Sequence, residues 1–124
     1  KILLVEDNEF NQLVGVDTIN DLFPDVIVEV AENGIEALKK LESNEYSFVF
    51  MDIQMPEMDG YETTRQIRKL KGEKGLIRIC AMTANVTKDE IDACLASGMN
   101  DYMMKPFTHE ILKEKILKNT FVHA

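Results

Sequence analysis

An open α/β sandwich, one parallel sheet with helices on both faces, is predicted for this 124-residue chain by three observations. Short apolar runs alternate with amphipathic stretches down the whole length. The first three runs are β-branched and nearly continuous, as central parallel strands buried on both sides are. No linker, low-complexity segment or internal repeat divides the sequence, so residues 1–124 are read as a single domain with one core.

Taken in order, "ILLVE" (2–6) is the first strand, and a helix follows near 9–22, starting near Asn8. "VIVEVA" (26–31) is the second strand. Asn33 and Glu36 then have the spacing of a capping box for a helix over 34–43, whose Ile35, Leu38 and Leu41 form one apolar face. "SFVFMD" (47–52) is the third strand, followed by a helix over 60–71. "IRICAMT" (77–83) is the fourth, and Thr87 with Glu90 caps a helix over 88–97. "DYMMK" (101–105) is the fifth. Thr108 is the N-cap of a last helix over 109–120, with Phe107 and Leu112 placed as a hydrophobic staple.

The formal charge is −8, the opposite of the basic footprint that direct nucleic-acid binding requires, and that class is set aside. The one basic stretch, "RQIRKLK" (65–71), is read as a solvated helix face. No run of about 18 apolar residues and no basic-then-apolar leader occurs, so no membrane contact is expected of this domain. The chain begins without Met and enters "ILLV" almost at once, as a domain excised from a longer parent would, and any membrane anchor is expected in that parent. Cys80 and Cys94 have no CxxC spacing and are read as buried reduced thiols of a cytoplasmic protein. His109 and His123 are read as solvated. Met51, Met55, Met58 and Met82 are expected in packing, while Met99, Met103 and Met104 are candidates for a soft protein-binding surface.

Ligands of such sheets bind beyond the carboxyl ends of the strands. The residues expected there are Glu6 and Asp7 after the first strand, Asp52 at the third, Thr83 at the fourth and Lys105 at the fifth. Three like charges repel, and burial alone raises their pKa values. A hard divalent cation, Mg²⁺ or Mn²⁺, relieves both effects and takes carboxylate oxygens. With neither His nor Cys at a strand end, acyl and redox chemistry is hard to build. A carboxylate can instead be the nucleophile toward a phosphoryl group, with the metal, Lys105 and Thr83 neutralising its oxygens and the backbone N–H groups of Ile53 and Ala84 completing the cradle.

At these residues the chain resembles a response-regulator receiver domain of two-component signalling along its whole length. "LLVEDN" resembles the family's acidic pair, "FMDIQMPEMDG" its phosphoacceptor loop, "AMTAN" its switch strand and "DYMMKPF" its lysine–proline end. "VEDNEFNQ", "MDIQMPEMDG" and "GMNDYMMKPF" most resemble receivers attached to hybrid histidine kinases. The resemblance implies a flavodoxin-like (βα)5 sandwich with strand order 2-1-3-4-5 and Asp52 as phosphoacceptor. Glu6, Asp7, Asp52 and the Gln54 carbonyl would bind Mg²⁺, and Thr83 and Lys105 would contact the phosphoryl group. Tyr102 would swing inward with Thr83, remodelling the face of the fourth helix, fifth strand and fifth helix. Gln54 and Asn85 would flank the attacking water and tune phosphoryl lifetime, and the Lys105–Pro106 bond would be cis. Glu6 replaces an Asp found in many members, so direct metal contact is expected first of Asp7.

Such a domain is a phosphoacceptor rather than a turnover enzyme. Its implied partners are a histidine kinase or a histidine phosphotransfer domain docking on the first helix, and a second copy in a homodimer formed on phosphorylation. Three alternatives are weighed. An FMN-binding flavodoxin-like module needs a hydroxyl- and glycine-rich loop where this chain has "EDNEFN". An aspartyl-nucleophile phosphatase wants a carboxylate at position 54, which is Gln. A degenerate receiver used for docking or dimerisation normally lacks Asp52, Thr83 or Lys105, and all three are present.

Overall fold

The computed structural model describes residues 1–55, 58–84, 87–105 and 107–121, with side chains through Asn119. Asn85, the Lys105–Pro106 bond and His123, on which the sequence raised expectations, lie outside the described residues. The alternation predicted from the sequence forms: β1 (Ile2–Val5), α1 (Glu9–Leu22), β2 (Val28–Ala31), α2 (Gly34–Ser43), β3 (Phe48–Asp52), α3 (Gly60–Arg68), β4 (Arg78–Thr83), α4 (Lys88–Ser97), β5 (Asp101–Met104) and α5 (His109–Phe121). All four strand pairings are parallel, in the order β2-β1-β3-β4-β5.

Because strand side chains alternate between faces, one sequence builds two apolar layers. Leu3, Val5, Val49, Met51, Ile79 and Ala81 meet Ala37 and Leu41 of α2, Ile67 of α3 and Cys94 of α4. Ile2, Leu4, Phe48, Phe50, Cys80 and Met82 meet Ile19 of α1 and Leu112 and Ile116 of α5. Burial contributes about 1.5–3 kcal/mol per large side chain, which outweighs the weak intrinsic stability of helices this short. The caps read from the sequence act as such. Asn33 Oδ1 accepts from Glu36 N at 2.8 Å, and Thr87 Oγ1 and Thr108 Oγ1 accept from Glu90 N and Ile111 N at 3.2 Å. Phe107 packs in the same layer as Leu112, as a staple requires.

Five readings need correction. The second apolar run is not a central strand: β2 lies at the sheet edge with Val28, Glu29 and Val30 only half-buried, and β4 takes the interior place. In α2 the buried face is Gly34, Ala37 and Leu41, while Ile35 is 42% exposed. The first turn of α2 abuts α3 so closely that a Cβ at Gly34 would stand 2.1 Å from Thr63 Oγ1, and Ile35, about 100° further round, points away. α3 ends at Arg68 instead of residue 71, because the amides of Lys69 and Leu70 close back onto Gln66 O and Ile67 O. A 3-10 turn over Gly72–Leu76 follows, which the sequence reading did not anticipate. Nor is the basic stretch wholly solvated. Arg68 is half-buried, donating to Gly75 O at 3.0 Å, Ile77 O at 2.6 Å, Gly98 O at 2.7 Å and Asn100 Oδ1 at 3.0 Å, and so ties α3 to the entries of β4 and β5. Of the candidate surface methionines, Met99 and Met103 are buried and only Met104 is exposed. The two cysteines are free and buried, as read.

Candidate functional site

Parallel register carries four strand ends to one rim. Val5 pairs with Met51, Asp52 with Met82 and Thr83 with Met104, so Glu6, Asp52, Thr83 and Lys105 finish side by side. The Lys105 amide donates to Thr83 O at 2.8 Å, which fixes the lysine where β5 leaves the sheet.

The Lys105 ammonium is 2.7 Å from Glu6 Oε1 and 3.2 Å from Asp52 Oδ1. Glu6 Oε2 also accepts from Asn8 N at 3.2 Å, which joins the carboxylate to the N-cap of α1. Glu6 and Asp52 are buried, at 2% and 4% exposure, and Asp7 is exposed beside them. One carboxylate oxygen from each of the three lies within 4.8 Å of the others. Burial first, then the charge of Glu6, pushes the Asp52 carboxyl up to about 7, against the pull of Lys105. Burial also raises Glu6, but its hydrogen bonds to Lys105 and Asp52 and the Asn8 amide outweigh that, and its net shift is downward. One ammonium thus shares two buried carboxyls, and negative charge is left over.

An all-oxygen set with surplus negative charge, half open to solvent through Asp7, fits a hard divalent cation. It does not separate Mg²⁺ from Mn²⁺, since carboxylates suit both.

Expectations for the backbone cradle divide. The Ile53 N–H is already used, donating to Met82 O at 3.3 Å in continuation of the β3–β4 ladder. The amide aimed at the carboxylate is the next one: Gln54 N donates to Asp52 Oδ1 at 3.3 Å. The physical reason is that pairing runs one residue past the assigned strand, so the first amide beyond the ladder belongs to Gln54. Ala84 follows Thr83 on the rim and is exposed, and Thr83 itself is buried.

Gly60 was not singled out from the sequence, yet the site depends on it. A Cβ there would stand 2.5 Å from Asp52 O and 2.8 Å from Ile53 Cα, so only glycine lets the start of α3 close against the end of β3. Its amide donates to Ile53 O at 2.9 Å. The legible signal was the position of glycine immediately before an amphipathic stretch, directly after Asp59, which caps α3.

Tyr102 is not in the carboxylate cluster. It lies within β5, half-buried against the layer formed with α2, α3 and α4. His109 is exposed, 3.9 Å from the exposed Asp21, away from the rim. Beside the rim, a cavity of about 330 Å³ is bounded by Glu6, Lys105, Phe107 and the first turns of α1, Phe10, Asn11 and Val14. A larger one, about 470 Å³, lies at the opposite end of the sheet around Tyr46 and Arg78 and touches none of these groups.

Residues 2–117 match the family model of the response regulator receiver domain. The Hybrid signal transduction histidine kinase B of Dictyostelium discoideum is 41% identical over 96% of this chain, which spans 6% of that relative's length. The receiver domain of sensor histidine kinase PA1611 from Pseudomonas aeruginosa PAO1, solved with a magnesium ion coordinated in its active site cleft, is 37% identical. It superposes with a TM-score of 0.86, covering 97% of this chain and 96% of that one. A Saccharomyces cerevisiae co-crystal structure of the histidine phosphotransfer protein Ypd1 and the receiver domain of its downstream response regulator Ssk1 also matches. There the identity is 29% and the TM-score 0.90, covering 99% of this chain and 90% of that one.

Proposed function

We propose, for a chain that belongs to the response regulator receiver domain family of two-component signalling, that Asp52 accepts a phosphoryl group from a phosphohistidine and that the face of α4, β5 and α5 reports its arrival. The observation that carries this reading is the junction of Lys105 with Glu6 and Asp52, at 2.7 and 3.2 Å, beside Asp7.

In the reaction an Asp52 oxygen bonds to phosphorus as the P–N bond to the donor imidazole breaks, and the electron pair returns to that ring. Asp52 must be ionised to attack, and the bare site resists this, since its carboxyl is raised to about 7. Asp7, Asp52 and the Gln54 carbonyl would hold a Mg²⁺ ion, which would supply the missing positive charge. Glu6 accepts a hydrogen bond from Lys105, so it orients the lysine and would stand as a further carboxylate beside the ion. Lys105 neutralises phosphoryl oxygen charge, Thr83 donates to it, and the amides of Gln54 and Ala84 complete the cradle. Gln54 replaces Ile53 in that role because the Ile53 amide is held by Met82.

Tyr102 turns inward with Thr83 as the switch, and a homodimer through the reporting face would appear as a phosphorylation-dependent rise in mass by light scattering. Gln54 and Asn85 bring no acid or base toward the attacking water, which supports a moderately long-lived phosphoryl state. The donor docks on α1, whose Phe10 and Leu13 are 72% and 62% exposed next to the rim. We assign residues 1–124 as one receiver domain of a hybrid histidine kinase, on the cytoplasmic side, in keeping with its free, buried cysteines. Among the described residues no helix is long and apolar enough to cross a membrane.

Intact mass after incubation with Mg²⁺ and a small phosphodonor tests the reading. One phosphoryl group on the native chain, absent without metal and absent in Asp52→Asn, is expected. Failure of both phosphoryl and beryllofluoride adducts would reduce the domain to a docking or dimerisation module.

A further inference from the structure

Asp101 is a buried carboxylate at the start of the edge strand β5, level with Cys80 and Phe50 in the sheet, and the phosphoryl chemistry makes no use of it. It opens β5, where alternation sends Asp101 and Met103 toward α1 and α5 while Tyr102 projects to the opposite layer. Because β5 is an edge strand, a long side chain from α5 can reach round it. Lys115 does so. Its ammonium is 3.0 Å from Asp101 Oδ1 and 5.5 Å from the centroid of the Tyr102 ring, so one cation touches groups from both faces of the strand.

The ammonium cannot follow the ring if the ring moves. Lys115 is 15% exposed, and a poorly hydrated cation stays with its counter-ion. The counter-ion is itself fixed: Asp101 accepts from Tyr102 N at 2.8 Å and from Asn119 Nδ2 at 3.2 Å. Asn119 is held in turn by Arg78, which donates to its Oδ1 at 2.9 Å. A cation over a tyrosine face attracts it through the ring quadrupole, and that attraction exists only while Tyr102 keeps its place at the sheet edge.

We propose that Asp101 and Lys115 form a latch on the switch, in which Lys115 is a positioning residue that holds Tyr102 at the edge and opposes its inward turn. The latch rests on the reading of Tyr102 as the switch aromatic. It sets how far the phosphoryl-free domain already populates the switched state. By linkage it weakens any ligand that favours that state by the same factor, roughly two- to fivefold for a contact of this kind.

The test uses the chain labelled with 3-fluorotyrosine, whose three tyrosines give three fluorine resonances, with Tyr102 assigned by Tyr102→Phe. Native, Lys115→Met and Lys115→Arg proteins are titrated with beryllofluoride in Mg²⁺. Lys115→Met keeps the apolar stem and leaves Asp101 with Lys118 and Asn119, so the fold is retained, and circular dichroism checks this. The expected result is beryllofluoride binding tightened roughly two- to fivefold in Lys115→Met, with the Tyr102 resonance of the free variant displaced toward its bound position. Lys115→Arg, which keeps a cation over the ring, remains native-like in both measures. Unchanged affinity and an unmoved Tyr102 resonance in Lys115→Met would overturn the latch. A native Tyr102 resonance that ignores beryllofluoride binding would overturn the switch reading, and the latch with it.

Discussion

Among the described residues, two buried carboxylate–lysine clusters lie on one sheet, and they are neutralised in opposite senses. At the rim, Glu6 and Asp52 share one ammonium with Asp7 close by, and the Asp52 carboxyl is pushed up to about 7. At the start of β5, Asp101 alone has Lys115 at 3.0 Å, Lys118 at 3.4 Å, an amide side chain and a backbone N–H. There burial raises the carboxyl, but those partners outweigh it and hold Asp101 below its usual value. The difference is one of charge balance: a satisfied cluster holds its neighbours in place, whereas an under-neutralised one is an energetic liability tolerated where a ligand is to bind.

Four measurements break or sharpen this contrast. The largest effect belongs to the satisfied cluster. Asp101→Asn is expected to lower stability by about 3 kcal/mol in urea unfolding, since it strands Lys115. Adding Mg²⁺ at about a hundred times its Kd should stabilise the native chain by about 2.7 kcal/mol, and Asp52→Asn should lose most of that gain.

Third, metal-free Asp52→Asn should be more stable than the native chain near pH 8, by about 1–3 kcal/mol, because it removes an unfavourable ionisation. The sign follows from the raised native pKa. Between the ordinary value of 3.8 and about 7 the folded chain binds more protons than the unfolded one, so native stability falls as pH rises through that window. The advantage of Asp52→Asn should therefore fade toward pH 4. Asp101, with its lowered pKa, does the reverse: its contribution is present above about pH 4 and is lost as pH falls through the native value. Parallel pH dependences for the two variants would contradict the contrast. The smallest effect is that of Lys118→Met, expected to change stability by less than about 0.5 kcal/mol, since that side chain is 55% exposed and its contact is screened.

Much of this was legible beforehand, for identifiable reasons. Strand and helix periods follow from backbone geometry, so "FVFMD" and "LLV" announce buried strands in any context, and Asn33, Thr87 and Thr108 announce helix starts through local hydrogen bonds. The rim residues were legible because a parallel sheet must bring its strand ends together. What escaped depends on neighbours distant in sequence. Ile35 faces solvent because Thr63 lies against Gly34, and Arg68 turned inward because the carbonyls of Gly75, Ile77 and Gly98 needed a donor. The Ile53 amide, expected in the cradle, donates to Met82 O because the ladder continues past the strand end.

Local chemistry along the chain therefore determined the element order, the two-layer core and the identity of the strand-end side chains. Those properties depend on residues a few positions apart. Tertiary packing alone decided which amide faces Asp52, which lysine neutralises which carboxylate, and that Lys115 reaches round an edge strand to Tyr102. Charge balance in a buried site is set by atoms a few ångströms apart in space, and Lys105 meets Glu6 across 99 positions of sequence.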